Sequence, residues 1–95
     1  MPWHKPHLQD GRLTYHGRSV ELTRNQYIIL RRLLAAKPEI VAWQVLYREI
    51  TGSAPEMRDD KLVKVHVYNL RRRLREAEIE MVIETRRQWG YRVFF

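Results

Sequence analysis

Cysteine is absent from this 95-residue chain, which excludes disulfides and thiolate metal sites and fits a reducing compartment. Long apolar runs are missing as well. No stretch approaches the ~18 apolar residues that a membrane-spanning helix needs, so no membrane partner is expected. The opening stretch from Met1 to Arg12 has no apolar core and does not read as a secretory signal. Glycine and proline are scarce, at four each. They punctuate turns and helix ends, and no linker, low-complexity tract or internal repeat interrupts the chain. Catalytic signatures are lacking too: no Ser-His-Asp pattern, phosphate loop or paired carboxylates stand out, and Glu76, Glu78 and Glu80 read as solvated ends. His4 and His7 have ligand-like spacing, but they sit in a proline-containing terminus without a carboxylate cluster. Neither metal nor other cofactor is therefore expected, and no enzyme activity.

What is present is one domain's worth of chain. At 44% hydrophobic and 31% charged residues, it has the composition of a folded domain able to bury roughly 60–70% of its unfolded surface. Eighteen Lys and Arg against eleven Asp and Glu leave a formal charge of +7. That excess favours a polyanionic partner, nucleic acid before an anionic membrane surface. Its meaning depends on where the cations sit.

Residues 1–7 read as a loose terminal segment, although Trp3 has the bulk to pack down, and 8–95 as the folded domain. Leu13-Thr14-Tyr15 and Val20-Glu21-Leu22 are short strands around a His16-Gly17 turn; Asp10-Gly11 marks another turn, with His7-Leu8-Gln9 a further strand. Thr23 followed by Gln26 is a capping box that opens a helix. Its apolar face runs through Tyr27, Leu30, Leu33 and Leu34, flanked by Ile28, until Lys37-Pro38 stops it after Ala36. A second helix fits Trp43 to Thr51, burying Val45, Leu46 and Ile50, with Gly52 closing it and only Ala42 at its poorly capped start. Residues 52–58 are a loop by composition. A third helix spans about Asp60 to Glu76, with Asp59 and Asp60 at its positive end. Met81 to Thr85 and Tyr91 to Phe94 form a terminal hairpin whose tip is Arg86 to Gly90.

The third helix places the charge. Val63, Val67, Leu70 and Leu74 make one apolar stripe. At about 100° per residue, Lys61, Val65, Tyr68 and Arg72 lie on the opposite side. Lys64, Arg71 and Arg75 flank that side on one edge and Asn69 on the other. A helix in the DNA major groove needs cations for phosphates and amides, guanidiniums and apolar groups for base edges. A merely solvated charged face gives the same pattern, so the helix alone leaves both readings open. Arg86-Arg87-Gln88-Trp89 at the hairpin tip favours DNA by offering a second basic projection. Trp89 suits either contact with DNA or packing over the hairpin base; His66, at the margin of the apolar stripe, suits a half-buried structural role or a phosphate contact.

Three stretches then resemble one family. Val20-Glu21-Leu22-Thr23 leading into an amphipathic helix, the run Asp60 to Leu74, and Ile83-Glu84-Thr85-Arg86-Arg87 through Gly90-Tyr91-Arg92-Val93 are similar, in this order, to the OmpR/PhoB-type effector domain of response regulators in two-component systems. The resemblance covers about 8–95. It implies an α+β winged helix-turn-helix: a small antiparallel N-terminal sheet of four strands, three helices and a C-terminal β-hairpin wing. It implies sequence-specific binding of double-stranded DNA for bacterial transcription regulation, with the helix of about 60–76 in the major groove and the wing of 85–90 at the adjacent minor groove or backbone. It also implies dimers on direct-repeat half-sites, contact with RNA polymerase through loop 52–59, and a cytoplasmic, nucleoid-associated location.

Face and resemblance together give the candidate residues. Val65, Tyr68, Asn69 and Arg72 are base readers; Lys61, Lys64, His66, Arg71 and Arg75 are phosphate contacts; Thr85, Arg86, Arg87, Gln88 and Trp89 form the wing contact. By matching position alone, Tyr68 falls nearer phosphate. Lys64 stands where the family usually has Asp, Tyr68-Asn69 replaces an often basic pair, and Gln88-Trp89 replaces a small wing tip, so no known target sequence transfers. No phosphoacceptor receiver domain lies within these residues, which fits both an excised effector half and a stand-alone regulator. The alternative function is an RNA-binding or protein-interaction winged-helix module without a specific DNA target.

Overall fold

A computed structural model describes residues 5–56 and 60–95. Its elements run β1 (His7–Gln9), β2 (Arg12–Tyr15), β3 (Arg18–Glu21), α1 (Arg24–Ala36), β4 (Val41–Ala42), α2 (Trp43–Thr51), α3 (Lys61–Glu76), β5 (Val82–Arg86) and β6 (Gly90–Phe94). Two antiparallel sheets, ordered β1-β2-β3 and β4-β6-β5, flank the three helices.

The N-terminal sheet follows from its turns. Asp10-Gly11 and His16-Gly17 all take positive φ, at 52, 79, 51 and 77°. Two consecutive left-handed residues are what a two-residue hairpin turn needs to match the strand twist. The resulting register pairs Gln9 with Arg12 and Tyr15 with Arg18. It turns Leu13 and Tyr15 into the core and leaves Arg12 and Thr14 outside. The four-stranded sheet that the resemblance implied is three-stranded among the described residues. Upstream of β1 stands Pro6, which has no N–H to donate to a ladder. Met1 to His4, and with them Trp3, lie outside the described residues.

The helices pack into one core with both sheets. The capping box forms as expected: Thr23 Oγ1 accepts from the Gln26 N–H at 3.2 Å, and Gln26 Oε1 accepts from the Thr23 N–H at 3.0 Å. The buried face of α1 is rotated from its expected position, covering Gln26, Ile29, Leu30 and Leu33, while Tyr27, Ile28 and Leu34 are half-buried. The cause is tertiary, because α1 packs against α2, α3 and β6 at once. Gln26 is tolerated inside because its side chain is hydrogen-bonded. Helix α2 buries Leu46 and Ile50 and leaves Val45 half-buried. In α3 the stripe Val63, Val67, Leu70 and Leu74 is buried throughout; each such side chain contributes about 1.5–3 kcal/mol. Asp60 occupies the N-cap without a side-chain cap bond, and Asp59 lies outside the described residues.

The end of α3 has no glycine. Ile79 N–H donates to Leu74 O at 2.9 Å and Glu78 N–H to Arg75 O at 3.0 Å. This is a Schellman closure, with Leu74 and Ile79 both in the core. Glu78 holds the left-handed position, at φ 55°. Replacing Glu78 with glycine is therefore expected to raise stability by about 0.5–1 kcal/mol in urea denaturation; a loss of stability would show that the position carries no strain.

Candidate nucleic-acid interface

The outward face of α3 is as open as its spacing requires. Lys61, Lys64, Arg72 and Arg75 are exposed, and between them Val65 is 54% and Tyr68 61% accessible. Asn69 is half-buried at the edge. Lys64 Nζ lies 3.3 Å from Asp60 Oδ2, yet its side chain remains largely solvated. Two large apolar side chains among cations, on the face opposite the core stripe, are unfavourable in water and suit a surface that meets both phosphates and base edges.

The wing stands beside this face. Strands β5 and β6 pair from Val82 with Phe94 to Arg86 with Gly90, one residue longer at the tip than the sequence implied, while Met81 precedes the strand and is buried. The turn is Arg87-Gln88-Trp89, with Gln88 at φ 71° and the Trp89 N–H donating to Arg86 O at 2.9 Å. Thr85, Arg86, Arg87 and Gln88 are exposed, and Trp89 is 71% accessible. At that exposure the Trp89 ring does not pack over the hairpin base. Lys64, the wing residues Thr85 to Tyr91, Trp43 and Asp60 line one cleft of about 270 Å³. Helix and wing thus border a common space.

Strand β4 was not foreseen. Val41 pairs with Tyr91 and Ala42 with Gly90, and the Trp43 N–H donates to Trp89 O at 3.2 Å. The wing backbone thereby caps α2, whose own N-cap, Ala42, offers no side-chain acceptor. Two residues are too few to carry a strand signal, and their partner lies far along the chain. The contribution of Trp43 to the cleft has the same origin.

Two candidate phosphate contacts are engaged inside the molecule. Arg71 is half-buried: Nε donates to Ile83 O at 2.9 Å, and Nη2 donates to Ile83 O and, at 2.7 Å, to Thr85 Oγ1. His66 is half-buried, with Nε2 3.1 Å from Asn25 Nδ2. An amide N–H can only donate, so this ring nitrogen accepts, and the contact ties the start of α1 to α3. No local signal marked Asn25. Beneath the wing, burial pushes the Tyr91 phenol above its ordinary 10.0, with the Arg71 guanidinium opposing and the Asp60 carboxylate assisting. It is a neutral core side chain at working pH.

Among the described residues no group of three or more His, Cys, Asp or Glu is placed to hold a metal ion. No helix there is long and apolar enough to cross a membrane.

A family model described as "Transcriptional regulatory protein, C terminal" matches residues 17–93. The sensory transduction protein BceR of Halalkalibacterium halodurans is 34% identical over 83 residues, covering 87% of this chain and 36% of that protein. The chain thus spans about a third of the length of this curated relative. The DNA-binding domain of Bacillus subtilis CssR has the same fold, with a TM-score of 0.73 at 18% identity, over 95% of this chain and 100% of that one. So has the DNA-binding domain of the response regulator AdeR, solved in complex with an intercistronic region, with a TM-score of 0.71 at 20% identity over 93% and 90% of the two chains. Matched over most of its length, and carrying the three helices and wing that its motifs imply, the chain belongs to the C-terminal transcriptional regulatory protein family, the OmpR/PhoB-type effector domains.

Proposed function

We propose that this domain binds double-stranded DNA sequence-specifically to regulate transcription, with α3 in the major groove and the β5–β6 wing against the adjacent minor groove or backbone. The observation that carries the reading is the common cleft: an exposed helix face of cations and apolar groups lies next to an exposed basic, tryptophan-tipped hairpin. Such a pair spans a groove and its flanking phosphates together. Family membership supports regulation over catalysis.

Val65, Tyr68, Asn69 and Arg72 face bases in this reading. Lys61, Lys64 and Arg75 meet phosphates, and Arg86, Arg87, Gln88 and Trp89 meet the backbone or minor groove. Dimerisation on direct-repeat half-sites and contact with RNA polymerase through the 52–59 loop belong to the same proposal; residues 57–59 of that loop lie outside the described residues. Action on bacterial DNA makes the cytoplasm its place of work.

Selection of bound sites from a random duplex library tests the reading. A recurrent motif is expected, retained at physiological salt against RNA of equal length; enrichment of no motif, or preference for the RNA, would overturn it. In the same assay Asn69→Ala is expected to relax one base position by about 1–3 kcal/mol while leaving non-specific affinity nearly intact. Uniform weakening across sequences would remove Asn69 from the base readers.

A further inference from the structure

Resting on that reading of the interface, we infer that Arg71 is a positioning residue: its forked guanidinium fixes the wing at the distance from α3 at which both engage one duplex. The geometry distinguishes it from its neighbours. Arg72 and Arg75 are exposed, whereas Arg71 lies half-buried with Nε and Nη2 both on Ile83 O and Nη2 also on Thr85 Oγ1.

The sheet order explains why such a tie is needed. In β4-β6-β5 the middle strand is β6, so β5 is an edge whose outer backbone groups have no strand partner. Strand β6 is anchored to the helices through β4, and the turn residue just before it through the bond from Trp43 N–H to Trp89 O. The described hydrogen bonds that join β5 to α3 are those of Arg71 alone. A planar guanidinium holding a carbonyl and a hydroxyl fixes direction as well as distance; a lysine ammonium keeps the charge and loses the fork. Arg71 also stands three residues from Tyr68 and two from Asn69 on α3, and Thr85 immediately precedes the basic tip. One side chain therefore links the reading face to the wing root.

The test is a double-mutant cycle on affinity for the selected duplex. Arg71→Lys is made with the intact wing and with the tip disabled by Arg86→Ala, Arg87→Ala and Trp89→Ala together. With the intact wing, Arg71→Lys is expected to weaken binding about five- to tenfold without changing the salt slope. With the tip disabled its effect is expected to fall below about twofold, because the orientation of a wing that makes no contact no longer matters. Equal losses in both backgrounds, or wild-type affinity for Arg71→Lys, would overturn the inference and leave DNA binding standing. Absence of duplex binding by the unmodified chain would remove both. Should Arg71→Lys fail to fold, Thr85→Val removes the hydroxyl end of the tie and enters the same cycle with the same expected non-additivity.

Discussion

Replacing Gly90 with alanine is expected to cost at least about 3 kcal/mol, a large share of the ~5–15 kcal/mol that holds a domain of this size together. A Cβ there would lie 1.9 Å from Val41 O, 2.7 Å from Val41 C and 2.8 Å from Ala42 Cα. All three are backbone atoms, so no side-chain rotation makes room. Relief requires β4 to part from β6, which breaks the pairs of Val41 with Tyr91 and Ala42 with Gly90. It also withdraws Trp89 O from the Trp43 N–H at the head of α2. Gly17→Ala is the control. Beyond its chain neighbours, a Cβ added there meets no atom within 4 Å, so only the strain of its φ of 77° is added, about 1 kcal/mol. Urea midpoints of the two variants should therefore differ clearly, and equal midpoints would contradict the close approach of β4 to the wing.

Affinity for a duplex site is expected to fall about 500-fold between about 50 and 200 mM salt. Five exposed cations assigned to phosphate or backbone flank the common cleft or the α3 face: Lys61, Lys64, Arg75, Arg86 and Arg87. Neutralising about five phosphates releases their counterions and gives a slope of about −4.5 in log affinity against log salt. Fluorescence anisotropy across a salt series reads it directly. Arg87→Ala should lower the steepness by about one unit. A slope near zero would mean that the +7 charge meets no phosphate backbone. Lys64 belongs in the count despite Asp60, because an exposed ion pair contributes little and is readily exchanged for a phosphate.

Much of this was legible from residue order. The Thr23 to Gln26 capping box, the two dipeptide turns and the α3 stripe each depend on side chains within about four positions of the next, and the terminal hairpin joins two segments adjacent in sequence. Such patterns form locally and then survive assembly. The Schellman closure at Glu78 escaped because a non-glycine residue holds the left-handed position, so the usual marker was missing. Ile29 escaped as a core residue because α1 packs against several elements, among them α2, α3 and β6, and a single-stripe reading assumes one.

The site divides along the same line. Exposure of Lys61, Val65, Tyr68 and Arg72 follows from helical periodicity once the opposite stripe is buried. Arg71 has the same chemistry and a neighbouring position, and only the approach of β5 turns it inward. Trp89 had two plausible fates, and its accessibility depended on how closely the wing lay against α2.

Taken by itself, the order of amino acids determined the local elements, the amphipathic face of α3 and the concentration of cations on it and the hairpin, since these rest on spacing along one helix or one turn. Tertiary structure alone decided that Val41 and Ala42 become a third strand, that Gly90 is sterically required, and that Arg71 and His66 bond within the molecule. Those outcomes depend on groups distant in sequence arriving within bonding or contact distance, a condition that no local pattern contains.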